Sequence, residues 1–135
     1  MRIILPLAVL ALSAGCAATP QETARAEAQR ARDMARLDRD LAGWSPGQPQ
    51  SCIQTRNANV KIYGDTLVYD DGLRRYRTDT NGGCFGLKRD DIIVTQSFGS
   101  QLCRGDLVRT VDRTAGFPSG ACAFGDFVPY TRARR

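Results

Sequence analysis

Apolar and polar residues alternate between Val60 and Tyr76, a pattern typical of half-buried β-strands. Two dipeptides, Gly64-Asp65 and Asp71-Gly72, interrupt the alternation and suit the two-residue turns of β-hairpins. The cross-strand pairs expected from these turns are Ile62 with Leu67, Val60 with Tyr69, Leu67 with Tyr76 and Tyr69 with Arg74. Both turns place the same apolar side chains on one face, so the segment is predicted to form a three-stranded meander with one buried face.

Further short segments have the composition of strands: residues 52–56, 91–97, 106–112 and 127–130. Glycine-rich turns separate them, and no helical periodicity interrupts residues 51–130. The predicted fold is therefore mainly β, a small antiparallel β-barrel or roll over residues 51–130, preceded by one N-terminal α-helix. An open sheet that uses this helix as a lid is the alternative architecture.

The N-terminal helix has a clear start and a clear stop. Thr19 and Glu22 have the spacing of a capping box, and Pro20 suits the first helical position. The chain then contains no glycine or proline until Gly43, which predicts a helix from Gln21 to Ala42. The apolar stripe of this helix is thin and consists of Ala24, Ala28, Ala31, Met34, Leu37 and Leu41. Five arginines balance five acidic residues, which favours a charged spacer over a partner-binding helix.

Proline and glycine then concentrate in residues 44–50, which are predicted to form an extended linker between the helix and the β domain. Trp44, the one tryptophan of the chain, is expected to dock on that domain. Residues 131–135 follow the domain as a basic tail.

The first residues have the composition of a bacterial lipoprotein leader. An apolar stretch from Ile3 to Leu12 follows a positive residue, and small residues then lead to Cys16, as in a lipobox. Residues 1–15 are therefore predicted to be a cleaved signal peptide, and residues 16–43 a lipidated Cys16 followed by the spacer helix. Two or more acyl chains anchor a protein firmly. By resemblance to lipoprotein sorting in Gram-negative bacteria, Ala17 favours the outer membrane, with the domain facing the periplasm. An ordinary cleaved signal without a lipid is the alternative.

Four cysteines remain once Cys16 is assigned to the lipid: Cys52, Cys84, Cys103 and Cys122. An even number of cysteines in an oxidising compartment predicts two disulfides. The predicted pairing is nested, with Cys84–Cys103 inside Cys52–Cys122. A metal site is disfavoured because the chain has no histidine and no Cys-x-x-Cys pair.

The residue inventory argues against an enzyme. Without histidine, every catalytic triad that depends on an imidazole is excluded. Asp70-Asp71 and Asp90-Asp91 are poor catalytic pairs, because neighbouring residues of a strand point to opposite faces. They also lack the Asp-x-Asp-x-Asp spacing of calcium loops, and the glycines do not have a phosphate-binding spacing. The prediction is a non-catalytic protein with no cofactor and no metal; an aspartate beside Lys61 or Lys88 in a deep pocket would favour the alternative of a small hydrolase.

Basic residues dominate the β domain, where thirteen lysines and arginines face nine aspartates from Ser51 to the end of the chain. The candidate patch for an anionic ligand consists of Arg74, Arg75, Arg77, Lys88 and Arg89. The predicted partners, besides the membrane, are lipopolysaccharide, peptidoglycan or an envelope protein, and nucleic acid is not expected outside the cytoplasm. A solvated basic surface without a ligand is the alternative.

Three cysteine-centred motifs carry a resemblance to a known family. They are Cys84-Phe85-Gly86-Leu87, Gln101-Leu102-Cys103 and Cys122-Ala123-Phe124-Gly125-Asp126-Phe127. From Cys52 to Tyr130 the chain resembles small secreted proteins and lipoproteins of Gram-negative bacteria that are catalogued only as a domain of unknown function. The resemblance implies an envelope location, paired cysteines and a compact β domain, with no activity to carry over. A binding or structural role is therefore expected, and an inhibitor of a cell-wall hydrolase such as lysozyme is the alternative.

Overall fold

The computed structural model of this protein describes residues 18–54 and 58–132, apart from the side chains of Lys88 and Arg89. The predicted signal peptide and Cys16 lie outside the described residues. One helix, α1, comes first at Pro20–Leu41. The strands are β1 Ser45–Pro46, β2 Cys52–Gln54, β3 Asn59–Tyr63, β4 Thr66–Asp70, β5 Arg74–Thr80, β6 Ile92–Gln96, β7 Gln101–Cys103, β8 Leu107–Val111 and β9 Pro118–Thr131. A short 3₁₀ helix, Phe85–Arg89, lies between β5 and β6.

The strands form an antiparallel half-barrel, which confirms a mainly β fold with one N-terminal helix and two disulfides. The main sheet has the order β3-β4-β5-β9-β8-β6, and β1 pairs with the end of β9. β9 is the central strand and much longer than the predicted residues 127–130. Its first half pairs with β8 and its second half with β5, so it carries the chain from one side of the half-barrel to the other.

The first predicted hairpin is confirmed and the second is displaced. Ile62 pairs with Leu67 across the Gly64-Asp65 turn. In the second hairpin Leu67 pairs with Thr78 and not with Tyr76. The turn there is centred on Gly72 and Leu73, one residue later than predicted, because Gly72 adopts a φ of +89° and the Asp71 carboxylate accepts the N–H groups of Leu73 and Arg74. A turn moved by one residue shifts the register by two, so each side chain keeps its face.

β4 is buried on both faces, and two hydrophobic clusters therefore share it. Leu67 and Tyr69 point into the half-barrel, where they pack with Phe124 and Phe127. Val68 points to the outer face and packs against Leu37 and Leu41 of α1. The helix therefore covers the outer face of the β3–β5 side of the sheet.

One seam of the barrel stays open. β2 pairs with β7 so that Cys52 faces Cys103 and Gln54 faces Gln101. If the register of β2 and β7 continued along the two segments that contain them, β3 would lie opposite β6. These two strands are instead the two ends of the sheet order, and the 3₁₀ helix contacts both of them. Leu87 of this helix is buried in the interior cluster, so the 3₁₀ helix, which the sequence did not predict, wedges the seam apart.

The capping box is confirmed: the Glu22 N–H donates to the Thr19 hydroxyl, and the Thr19 N–H donates to the Glu22 carboxylate. Only the first turns of α1 are exposed and remain available as a spacer, since Leu37 and Leu41 are buried against the sheet. The predicted linker is also corrected. Ser45 and Pro46 pair with the end of β9, and Gln50 bridges to Phe127, because this proline-rich stretch is extended and lies beside β9.

The predicted disulfide pairing is wrong. The bridges are Cys52–Cys103 and Cys84–Cys122, an interleaved arrangement and not a nested one. Cys52 and Cys103 are directly opposed on β2 and β7, with 4.0 Å between their Cα atoms. Cys84 precedes the 3₁₀ helix, which the second bridge ties to β9. The disulfide pairing depends on which strands are neighbours in the fold, and the spacing of the cysteines along the chain does not show this.

Candidate functional site

A groove of about 240 Å³ lies between α1, the end of β3 and the 3₁₀ helix, close to the open seam of the barrel. Its walls carry charged and amide side chains, and its apolar part consists of two aliphatic residues. The lining residues are Gln29, Asp33, Arg36, Ile62, Gly64, Leu87 and Asp90.

Asp33 is the unusual residue of this groove, because it is a carboxylate that is only 6% exposed. It lies one helical turn before Leu37 and therefore on the face of α1 that packs on the sheet. The Gln29 amide donates to both carboxylate oxygens at 3.2 Å, and the Arg36 guanidinium lies 3.5 Å from one of them. Buried carboxylates require such partners, so the position of Asp33 is set by its neighbours on the helix.

Asp90 supplies the second carboxylate from the opposite wall. It is the residue that ends the 3₁₀ helix, and it adopts a left-handed conformation with a φ of +60°. Arg113 donates two hydrogen bonds to the Asp90 carbonyl, at 3.2 and 3.3 Å, which supports this turn from behind. The Asp90 side chain itself is 90% exposed, and one of its carboxylate oxygens lies 4.0 Å from the Arg113 guanidinium.

Charges of both signs thus meet over an apolar floor. Asp33 and Asp90 suit an ammonium group, whereas the Arg36 guanidinium suits a carboxylate. Ile62 and Leu87 provide the aliphatic contact between them. This combination fits a small zwitterionic ligand, such as the end of a peptide with a free amine and a free carboxylate, better than a phosphate.

The three described arginines of the predicted basic patch do not share one face. Arg75 and Arg77 lie on the helix-covered face of β5, whereas Arg74, next to Arg75 in the strand, points to the other face. Arg75 pairs with Asp40 and Asp70, and Arg77 pairs with Asp79. Arg75 and Arg77 are thus already paired with aspartates. The side chains of Lys88 and Arg89, the other two residues of the predicted patch besides Arg74, lie outside the described part of the structure.

Arg75 instead belongs to an anchor at the C-terminal end of α1, which we call the Trp44 anchor: Asp40, Trp44, Lys61, Tyr63, Arg75 and Arg132. The guanidinium carbons of Arg75 and Arg132 lie 4.5 and 4.7 Å from the Trp44 ring centroid, one cation–π contact each. The expectation that Trp44 docks on the domain therefore agrees with the structure. Arg132 belongs to the predicted basic tail, whose last residues, 133–135, lie outside the described part of the chain.

Asp40 is the centre of the anchor. The Lys61 ammonium donates to it at 2.9 Å, Arg75 lies 3.3 Å away, and the Tyr63 hydroxyl donates to it. An aspartate beside Lys61 is thus present, but this pair does not line the groove and serves to hold the helix on the sheet. Burial, together with the hydrogen bond to Asp40, raises the pKa of Tyr63 to about 12.

We expect the Trp44 anchor to loosen in acid. Burial acts to raise the pKa of Asp40, but the hydrogen bonds from Lys61 and Tyr63 and the charge of Arg75 outweigh it, so this pKa is lowered. A lowered folded-state pKa contributes stability above the unfolded-state value of about 4, and this stability is lost as the pH falls through the folded-state value.

The matched test compares Asp40→Asn with Asp38→Asn, an exposed aspartate of the same helix. Asp40→Asn is expected to lower the free energy of unfolding by about 1–2 kcal/mol at neutral pH, and this difference from the wild type should shrink below about pH 4. Urea unfolding followed by Trp44 fluorescence measures it. A difference that stays constant down to pH 2, or an equal effect of Asp38→Asn, contradicts the assignment.

The other aspartate pairs have structural roles. Asp70 binds Arg75, and Asp71 caps the turn. Asp91 is buried, and its carboxylate lies near Gly86 beside the hydroxyls of Thr110 and Ser119. Among the described residues, no group of three or more cysteines or acidic residues is placed to hold a metal ion.

The sequence analysis placed neither carboxylate of the groove in a binding site, since Asp90 was considered only as half of a pair with Asp91. The predicted apolar stripe was right at Leu37 and Leu41, but it continued through Met34, which is 40% exposed, and not through Asp33. The spacing of Asp33, Leu37 and Leu41, four residues apart, could have indicated the buried face of the helix. Asp90 had no comparable signal, since its role depends on the 3₁₀ helix.

Comparisons of the chain with protein-family models, curated proteins and solved structures find no match. The resemblance carried by the cysteine motifs therefore stays a prediction. Within residues 18–54 and 58–132, no helix combines the length and the hydropathy needed to cross a bilayer.

Proposed function

We propose that this protein is a lipid-anchored, non-catalytic binding module on the periplasmic side of the outer membrane. The proposal of binding rests on the groove between α1 and the 3₁₀ helix, which has a buried carboxylate and accessible charges of both signs. The two disulfides support an oxidising compartment, since Cys52, Cys84, Cys103 and Cys122 are all paired. The exposed first turns of α1 would separate the domain from a lipid on Cys16.

The ligand class follows from the groove. Two carboxylates disfavour phosphate groups in the groove. Arg75 and Arg77 are already paired with aspartates, which further favours a ligand other than lipopolysaccharide. A peptide end with a free ammonium and a free carboxylate matches Asp33, Asp90 and Arg36. Among the expected envelope partners, the stem peptides of peptidoglycan have this chemistry.

The anchor is tested by the intact mass of the protein from the membrane fraction of its host. We expect the mass of residues 16–135 plus acyl chains, with alkylation of four thiols only after reduction. An unlipidated chain in the soluble fraction would remove the membrane from the proposal without affecting the groove.

The groove is tested by Asp33→Asn, which removes the buried charge and keeps the shape of the side chain. We expect soluble peptidoglycan fragments with a free diamino acid to bind the wild-type protein and to bind the variant about tenfold more weakly. A tenfold loss corresponds to roughly 1.4 kcal/mol, which is the effect expected for the loss of one ion pair. Isothermal titration calorimetry measures the affinities, and Asp38→Asn is the control. Absence of binding by the folded wild-type protein, or equal weakening in both variants, would show that this ligand class is wrong.

A further inference from the structure

A second surface of the protein is largely apolar, and no element of the described part of the chain covers it. On the three strands β6, β8 and the first half of β9, one set of side chains points inward: Val108 and Thr110 are completely buried, and Ile93 packs against the interior cluster. The alternate residues therefore point outward. They include Ile92, Val94, Leu107, Arg109, Val111 and Ala121, and we call this surface the outer β6–β8 face.

The register brings these outward residues together. Ile92 is paired with Val111, and Val94 is paired with Arg109, which is itself paired with Ala121. Ile92 and Val94 are 43% and 47% exposed. α1 covers the corresponding outer face of the β3–β5 side, whereas no described element packs on the outer β6–β8 face.

Two nearly bare phenylalanines come from the loops at either end of this face. Phe98, 95% exposed, follows β6, and Phe117, 73% exposed, precedes β9. Exposed aromatic side chains of this kind are costly in water and favour an apolar partner or a membrane interface.

The charge of the outer β6–β8 face favours one kind of partner over another. Arg109 lies in its middle row, and none of the outward residues of these strand segments is acidic. A second copy packed face to face about a two-fold axis through the middle of this face would bring two Arg109 guanidiniums together, which disfavours that arrangement. An anionic lipid surface instead supplies apolar chains for the aliphatic residues and phosphate groups for Arg109.

We propose that the outer β6–β8 face docks on an anionic phospholipid surface, with Arg109 at the headgroups and Phe98 and Phe117 inserted at its two ends. Docking would hold the domain against the membrane, with the groove of α1 on another side of the half-barrel. The inference is independent of the groove and of its ligand, and it does not require the lipid on Cys16.

The test uses the chain of residues 16–135 with Cys16→Ser, so that no acyl chain contributes. Co-sedimentation is measured with vesicles of phosphatidylglycerol and phosphatidylethanolamine and with vesicles of phosphatidylcholine alone. We expect binding to the anionic vesicles that weakens with salt, and a decrease of about tenfold or more for Arg109→Glu, because each basic residue near such a surface contributes about 1 kcal/mol and the charge is reversed.

The controls make the same charge reversal and a comparable loss of an exposed apolar side chain away from this face. Arg74→Glu reverses an exposed arginine of β5, and Leu73→Ser removes the side chain at the β4–β5 turn, which is 85% exposed. Phe117→Ser should weaken binding severalfold and Leu73→Ser should not. Three results would overturn the proposal: no vesicle binding by the folded protein, equal losses for Arg109→Glu and Arg74→Glu, or sedimentation as a dimer that Arg109→Glu abolishes.

Discussion

Replacement of Cys84 and Cys122 by alanine is expected to lower the free energy of unfolding by roughly 4 kcal/mol or more. The bridge closes a separation of 38 residues, for which the chain-entropy model gives about 4 kcal/mol. Both cysteines are also buried, at 1% and 5% exposure, so their removal leaves space beside Leu87 and Val108 in the interior cluster. The 3₁₀ helix would lose its tie to β9, and the wedge in the seam would loosen with it. Urea unfolding measures the effect.

The other bridge is the matched control. Cys52–Cys103 spans 51 residues, so its entropic contribution is similar, but its cysteines are only half-buried. The double alanine variant at Cys52 and Cys103 should therefore lose less stability. If neither variant folds, mild reduction of the native protein distinguishes the bridges, because the more accessible one should be reduced and alkylated first. Alkylation of Cys84 and Cys122 before the other pair would contradict the assigned burial.

Gly83→Ala is expected to destabilise the protein by about 2–5 kcal/mol. Gly83 has a φ of +92°, and a Cβ at this position would lie 2.5 Å from the carbonyl oxygen of Ala121. That oxygen belongs to the backbone of β9, and the Ala121 N–H donates to the Gly83 carbonyl, so neither segment can move away without losing this contact. The strain of the left-handed conformation adds to the overlap.

The neighbouring residue separates these two causes. Gly82 has a φ of +83°, but a Cβ there meets no atom within 4 Å. Gly82→Ala should therefore cost only the conformational strain, about 1–2 kcal/mol. Urea midpoints of the two variants measure the difference, and equal losses would show that the approach to β9 is not tight.

Local chemistry explains which elements were predictable. The capping box of Thr19 and Glu22 and the turn at Gly64-Asp65 depend on residues close together in the chain, and both form as expected. The second turn also depends on local chemistry, but Gly72 suits either of two turns, one at Asp71-Gly72 and one at Gly72-Leu73. The Asp71 carboxylate decides between them by accepting the N–H groups that follow the glycine.

The candidate site was less predictable, because it is made of parts distant in sequence. Asp33 and Asp90 meet across the groove only because α1 lies on the outer face of β3 and β4 and the 3₁₀ helix enters the seam. Arg75 was expected to be available to a ligand, but Asp40 and Asp70, from α1 and β4, bind it.

The amino-acid sequence by itself determined the mainly β class, the capped helix, the inward and outward alternation of the strands and the presence of paired cysteines. These properties follow from periodicity, turn chemistry and composition, which act over a few residues. Only the tertiary structure decided the interleaved disulfides, the docking of α1 and residues 44–50, the open seam and the location of the groove. Each of these depends on which strands become neighbours, and that is decided by the packing of the whole chain.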